Sequence, residues 1–234
     1  MQKADEKIYL IENALNGLAD NYSSCRLCPR ECGVNRKIGE IGFCGIGSLP
    51  VVANHCLHFG EEPCLSGYSD CENDDKSRSS LSGSGTVFFS GCNLGCLFCQ
   101  NYQISKQIYG TRVSPENLAS IFLSLQRNKA LNINLVTPTH VIVPILDALK
   151  RAISLGLDIP VVYNTGAYDS PETIKMLSGI IDIYLPDLKY IKKGTSLKYS
   201  KAPDYPEKAT GAITEMYRQV GNLEIDSEGN AKKG

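Results

Sequence analysis

From residue 86 onward, short apolar runs alternate with helical patterns, and this alternation constrains the fold more than any other feature of the chain. The runs are TVFFSG (86–91), NINLVTP (132–138), IPVVYNT (159–165) and IIDIYLPDL (180–188). Between them lie SPENLASIFLSLQRN, VIVPILDALKRAISLG and SPETIKMLSG. Apolar strands separated by helices predict βα units and a parallel sheet, open or closed into a barrel. Two of the helices open with Ser-Pro-Glu, at Ser114 and Ser170, which predicts a hydroxyl N-cap with Pro in the first turn. The spacing leaves room for about four or five units, and a parallel sheet of that width keeps an open edge. The last residues, GNLEIDSEGNAKKG, are polar and carry no further strand signal. Either something else covers the edge or the chain is truncated at its C-terminus.

Upstream of residue 86 the pattern changes. Ile8, Ile11, Leu15 and Leu18 recur at helical spacing and predict an amphipathic helix over residues 4–19. The stretch CRLCPRECGVNRKIGEIGFCGIG has too few periodic apolar residues for a core of its own and reads as a metal-organised knot. Residues 65–85 are rich in Ser, Gly and Asp and read as an exposed linker or insertion. The expected organisation is an N-terminal helix (1–20), a Cys-rich metal-binding segment (21–64), a polar linker (65–85) and an α/β unit (86–234). Lys plus Arg (24) balance Asp plus Glu (25), which argues against a nucleic-acid or polybasic membrane binder. The first residues, MQKADEKIYL, have no apolar stretch of secretory type, and no run approaches the ~18 apolar residues of a membrane span. The expectation is a cytoplasmic protein with neither a nucleic-acid nor a membrane partner.

Ten cysteines in 234 residues fall short of a disulfide scaffold, where cysteine exceeds about 8–10%. Clustered at short spacing and without an export signal, they read as metal ligands. The segment GCNLGCLFCQN (91–101) sets Cys92, Cys96 and Cys99 as C-x3-C-x2-C directly after the first strand of the train. Gly91, Asn93 and Gly95 let the backbone curl so that the thiolates converge. A [4Fe–4S] cluster normally takes four thiolates, so three leave one iron with an open position for a substrate or cofactor. A loop after a parallel strand also lies at the carboxyl edge of the sheet, where α/β active sites form. Two other readings of the spacing stay open: a zinc site completed by Cys71 or His140, and buried free thiols.

With the aromatic Phe98 just before its last cysteine, the motif resembles that of the radical S-adenosylmethionine (SAM) superfamily. The resemblance implies a partial (β/α) barrel with an open iron that chelates SAM. Reductive cleavage of SAM then gives a 5′-deoxyadenosyl radical for hydrogen abstraction, with Phe98 flanking the adenine. The segments CRLCPRECGVNRKIGEIGFCG, HFGEEP, SGSGTVFFSGCNLGCLFCQNYQIS, NINLVTPTH, VVYNTGAY and DIYLPDLKY together resemble one subgroup, the homologues of pyruvate formate-lyase activating enzyme. This likeness covers nearly the whole chain except residues 65–82, and so leaves out Cys64 and Cys71 as part of a departure from the subgroup.

By that resemblance Thr137 and Thr139, with Pro138, stand where activating enzymes hold the SAM amino group through Gly-Gly-Glu. Asn164 and Thr165, with Gly166, and then Asp187 and Lys189, stand where those enzymes bind a small cation and the cofactor's carboxylate and ribose. The subgroup's next strand, of the type Arg-His-Leu-Val-Leu-Pro, has no counterpart here, so the resemblance also implies a C-terminally truncated barrel. Its implied partners are a glycyl radical enzyme as protein substrate and a flavodoxin or ferredoxin as electron donor.

Cys25, Cys28, Cys32 and Cys44 form a second group, C-x2-C-x3-C-x11-C. A metal is expected there, zinc as a structural staple or a second iron–sulfur cluster as an electron relay, and spacing does not choose between them. His55 and His58, in an extended segment, are expected on one face as possible further ligands. Glu61 and Glu62 are given no role. Three functions compete: radical activation of a glycyl radical enzyme, radical modification of another peptide or small molecule, and non-catalytic electron transfer by an iron–sulfur or zinc protein. No Ser/His/Asp arrangement, P-loop or GxGxxG supports a hydrolase, NTPase or dehydrogenase.

Overall fold

The computed structural model describes residues 2–67 and 82–234. Most of the expected linker, and Cys71 with it, lies outside the described residues. The chain opens with α1 (Gln2–Ser23), which buries Ile11 and Leu18 of the expected stripe, half-buries Ile8 and Leu15, and buries Ala14 besides. A 3₁₀ turn, Arg36–Ile38, sits within the Cys-rich segment. Then follow β1 (Val51–His58), α2 (Pro63–Ser66), β2 (Ser84–Phe89), α3 (Tyr102–Ser105), β3 (Thr111–Arg112) and α4 (Pro115–Arg127). The remainder runs β4 (Ile133–Val136), α5 (Ile142–Ser154), β5 (Val161–Thr165), α6 (Pro171–Lys175), β6 (Ile183–Pro186), α7 (Lys193–Ser200), α8 (Tyr205–Val220), β7 (Glu224–Ile225) and β8 (Ala231–Lys233).

The main sheet is mixed and six-stranded, in the order β3-β1-β2-β4-β5-β6. Strands β2, β4, β5 and β6 are mutually parallel and are the four apolar runs of the sequence. Strands β1 and β3 extend the β2 side in antiparallel fashion. Of these, only an extended stretch around His55 and His58 was expected, and not its place in the sheet; both strands draw the Cys-rich segment into the fold. Cys25, Leu27, Cys44 and Ile46 pack in the same apolar core as Ile11 and Leu18, so this segment shares the main core instead of lacking one.

Side chains alternate across the sheet. Val87, Ile133, Leu135, Val161 and Tyr163 pack on one face with residues of α1, α4 and α5. The register pairs Thr86 with Asn134, Asn134 with Val162 and Val162 with Ile183 on the other face, and all four are buried. Ser114 caps α4 as predicted, its hydroxyl accepting the Asn117 N–H at 3.3 Å. Ser170 does not cap α6, because its hydroxyl donates to the Glu172 carboxylate at 2.7 Å.

The polar C-terminal segment that showed no strand signal forms the β7–β8 hairpin. Its last residue, Gly234, pairs with the outer edge of the parallel sheet. Tyr184 N–H donates to Gly234 O at 2.8 Å, and Gly234 N–H donates to Asp182 O at 3.2 Å. Ala231 is buried against Val162 and Ile183, which holds the hairpin down. Part of the open edge is covered in this way. Among the described residues, no helix is long and apolar enough to cross a membrane.

Candidate functional site

Strand β2 ends at Phe89, and the chain leaves the carboxyl edge of the sheet through Ser90 and Gly91 into the loop of Cys92, Cys96 and Cys99. Gly91 sits at φ +85°, and a Cβ there would lie 2.5 Å from Cys44 O. Glycine alone lets the loop pass this close to the N-terminal segment. The three cysteines are free and line one cavity of about 450 Å³. Burial pushes the Cys92 thiol up, the N–H groups of Gly95 and Leu94 oppose it, and the neighbouring Cys96 and Cys99 raise it further. Thiols that hinder one another's ionisation are relieved when a cation binds among them.

Among the described residues, no three His, Cys, Asp or Glu side chains stand at the distances a single ion demands. Thiolates of a cluster bind separate irons and stand further apart than ligands of one ion. Three soft thiols on one loop, facing a cavity, therefore fit a [4Fe–4S] cluster. The flank of the loop is aromatic and apolar. Phe98 lies edge-on to Tyr190 and to Tyr199, each with ring centres 6.1 Å apart. Leu94 and Cys96 pack with Tyr168, Tyr190 and Tyr205, which excludes water from that side of the sulfurs.

The far wall of the cavity comes from the carboxyl ends of β4, β5 and β6, which supply Thr137, Asn164, Thr165, Asp187 and Lys189. Thr137 N–H donates to Asn164 O at 2.8 Å, and Asp187 N–H donates to Thr165 O at 2.9 Å. Thr137 has φ +60°, a strained conformation for a β-branched residue and one that gathers at functional sites. The Lys189 ammonium pairs with the Asp187 carboxylate. The buried Tyr205 hydroxyl donates to Gly166 O at 2.8 Å and accepts the Lys189 N–H at 2.8 Å, so α8 ties the β5 and β6 loops together. Soft sulfur on one side thus faces hard oxygen and nitrogen groups on the other.

Thr139 lies apart from the other expected cofactor residues. It is fully buried, and its hydroxyl donates to Asp169 at 2.6 Å. Tyr163 and Thr165 donate to the same carboxylate at 2.8 and 2.7 Å. Thr139 and Thr165 therefore give their hydroxyls to Asp169 and not to the cavity. Burial pushes the Asp169 pKa up, and the three hydroxyls act in the opposite direction. Sequence reasoning missed Asp169, which precedes Ser170-Pro171 and reads as part of a helix start.

His140 does not join the cysteines. Its Nε2–H donates to Ser90 O at 2.8 Å, and burial lowers its pKa to about 4. His55 and His58 are three positions apart on β1 and so point to opposite faces, contrary to the expectation of one face. His58 stacks edge-on with Phe88, and its Nδ1 lies 3.4 Å from Glu61. Arg30, between two cysteines of the N-terminal group, was also missed. Its guanidinium donates to Asn93 O and Leu94 O at 2.9 Å, and to Ser200 O and Lys201 O at 2.7 Å. It thereby ties the N-terminal knot to the cysteine loop and to the end of α7.

A family model described as the radical SAM superfamily matches residues 86–218, from β2 into α8. The chain is also 32% identical over 193 residues to an uncharacterized protein of Methanocaldococcus jannaschii, a match spanning 79% of this chain and 51% of that protein. The chain thus spans about half the length of the curated relative it matches. No solved structure matches.

Proposed function

Since this chain belongs to the radical SAM superfamily, we propose that it cleaves SAM reductively to a 5′-deoxyadenosyl radical that abstracts a hydrogen atom. One observation carries the reading: Cys92, Cys96 and Cys99 share a cavity with Thr137, Asn164, Asp187 and Lys189. Cys92, Cys96 and Cys99 would hold a cluster that would supply the electron for reductive cleavage of the SAM sulfonium.

The chain's own residues bind, orient and exclude water. Asn164 offers an amide, and Thr137 a hydroxyl, to the amino and carboxylate groups of the cofactor. Lys189 offers an ammonium to the carboxylate at the cost of its pairing with Asp187. Phe98, exposed at the mouth, offers a ring face to the adenine. The aromatic flank keeps the sulfur side dry. As the hydrogen donor we propose the backbone glycine of a glycyl radical enzyme, with a flavodoxin or ferredoxin as electron source.

Anaerobic reconstitution with iron and sulfide, followed by electron paramagnetic resonance of the reduced protein, tests the first part. The expected signal is that of a reduced [4Fe–4S] cluster whose shape changes on adding SAM, with 5′-deoxyadenosine formed. A signal indifferent to SAM contradicts the proposal. Deuterium transfer from a labelled partner protein into 5′-deoxyadenosine tests the choice of hydrogen donor.

A further inference from the structure

The N-terminal knot lies outside the residues that match the family model, and it contains a charge problem of its own. Arg36 is 2% exposed. A guanidinium stays protonated in proteins, and a buried charge without a counter-ion costs several kcal/mol. Its Nε donates to Cys25 Sγ at 3.0 Å, its Nη2 to Cys44 Sγ at 3.1 Å, and its Nη1 to Ile46 O at 2.8 Å and Gly47 O at 3.2 Å. Among the described residues, its hydrogen-bond acceptors are thus sulfur and carbonyl oxygen, and none is a carboxylate. Two carbonyls and two neutral thiols would leave the cation uncompensated, so the arrangement calls for thiolate sulfur.

The backbone gathers the cysteines. Cys25 N–H donates to Val34 O at 2.9 Å, Gly33 N–H donates to Cys25 O at 3.0 Å, and Glu31 N–H donates to Cys28 O at 3.0 Å, which folds the chain back on itself around Cys25, Cys28 and Cys32. Gly42 is shaped to the site, since a Cβ there would stand 2.9 Å from Cys32 Sγ and 3.0 Å from Arg36 Nη2. All four cysteines are free of disulfides, and three of them are buried.

We propose that Cys25, Cys28, Cys32 and Cys44 hold a second, thiophilic metal centre, a zinc ion or an iron–sulfur cluster, with Arg36 as its built-in counter-charge. Zinc would draw the sulfurs together, because no three stand at single-ion distance in this structure. A cluster would sit among them. Through Arg30 the centre also steadies the backbone between Cys92 and Cys96.

The test uses the whole chain, purified anaerobically, with Cys92→Ala, Cys96→Ala and Cys99→Ala together, so that retained metal cannot belong to the loop. The expected result is about one zinc, or about four irons with matching sulfide, per chain. Adding Cys28→Ala and Cys44→Ala should release that metal. The zinc and iron assays identify which metal it is. A folded triple variant without stoichiometric metal overturns the proposal. If circular dichroism shows that variant unfolded, the reconstituted wild-type chain decides. Zinc beside about four irons, or iron well above about four, supports the centre. About four irons and no zinc, with Cys25, Cys28, Cys32 and Cys44 all open to alkylation, overturns it. None of these outcomes depends on whether SAM is cleaved.

Discussion

Thr137 shows how a single residue can trade stability for a site. Its left-handed backbone costs roughly 1–2 kcal/mol, which exceeds the roughly 0.5–1 kcal/mol that glycine would add to unfolded-chain freedom. Thr137→Gly is therefore expected to raise the thermal midpoint, by about 0.5–1 kcal/mol of stability, while weakening SAM binding measured by titration. A variant that loses stability would mean that the strain is not there. His140 gives a pH signature. Its folded pKa is lowered by burial to about 4, below the usual ~6.5 of an unfolded histidine. A depressed folded pKa means stability that is present above pH ~6.5 and is lost as pH falls toward about 4, up to about 3 kcal/mol. Denaturant midpoints between pH 7 and 4.5 should fall more steeply in the wild type than in His140→Gln.

At the scale of elements, the two Ser-Pro-Glu starts separate two roles that look alike in sequence. Ser114→Ala removes a cap and should cost about 1 kcal/mol, whereas Ser170→Ala removes only a side-chain bond to Glu172 and should stay within about 0.5 kcal/mol. Paired thermal melts check the difference. Arg30 links three segments, and Arg30→Met should cost about 2–4 kcal/mol. It should also lower the iron retained on the cysteine loop after gel filtration, by roughly half or more. The parallel strands were legible because strands covered on both faces read as unbroken apolar runs. β1 was legible only as an extended stretch and not as part of the sheet, because Asn54 and His55 interrupt its apolar pattern. α8 was not, because much of its buried stripe is small: Ala209 and Ala212 beside Tyr205, Met216 and Val220. Cys92, Cys96 and Cys99 were legible from thiol spacing, and the cavity gathers them with residues from three other strand ends. Asp169, Arg30 and Tyr205 act through hydroxyls and backbone carbonyls, contacts that leave no periodic mark in a sequence.

For the molecule as a whole, the sheet has two unlike edges. One ends in the short β3, and the other is β6, partly covered by Gly234. Deleting residues 222–234 should expose the β6 edge and promote edge-to-edge association. Light scattering across a concentration series would detect it, and a variant no more associated than the full chain would show that the hairpin does not protect the edge. The close passage of Gly91 beside Cys44 O has a consequence in time as well as space. A ribosome makes Cys44 well before the Cys92 loop, but domains fold as units. The core that buries Cys44 includes α4 and α5 and is completed only after the loop has been made, so the two sides of this contact must take shape together.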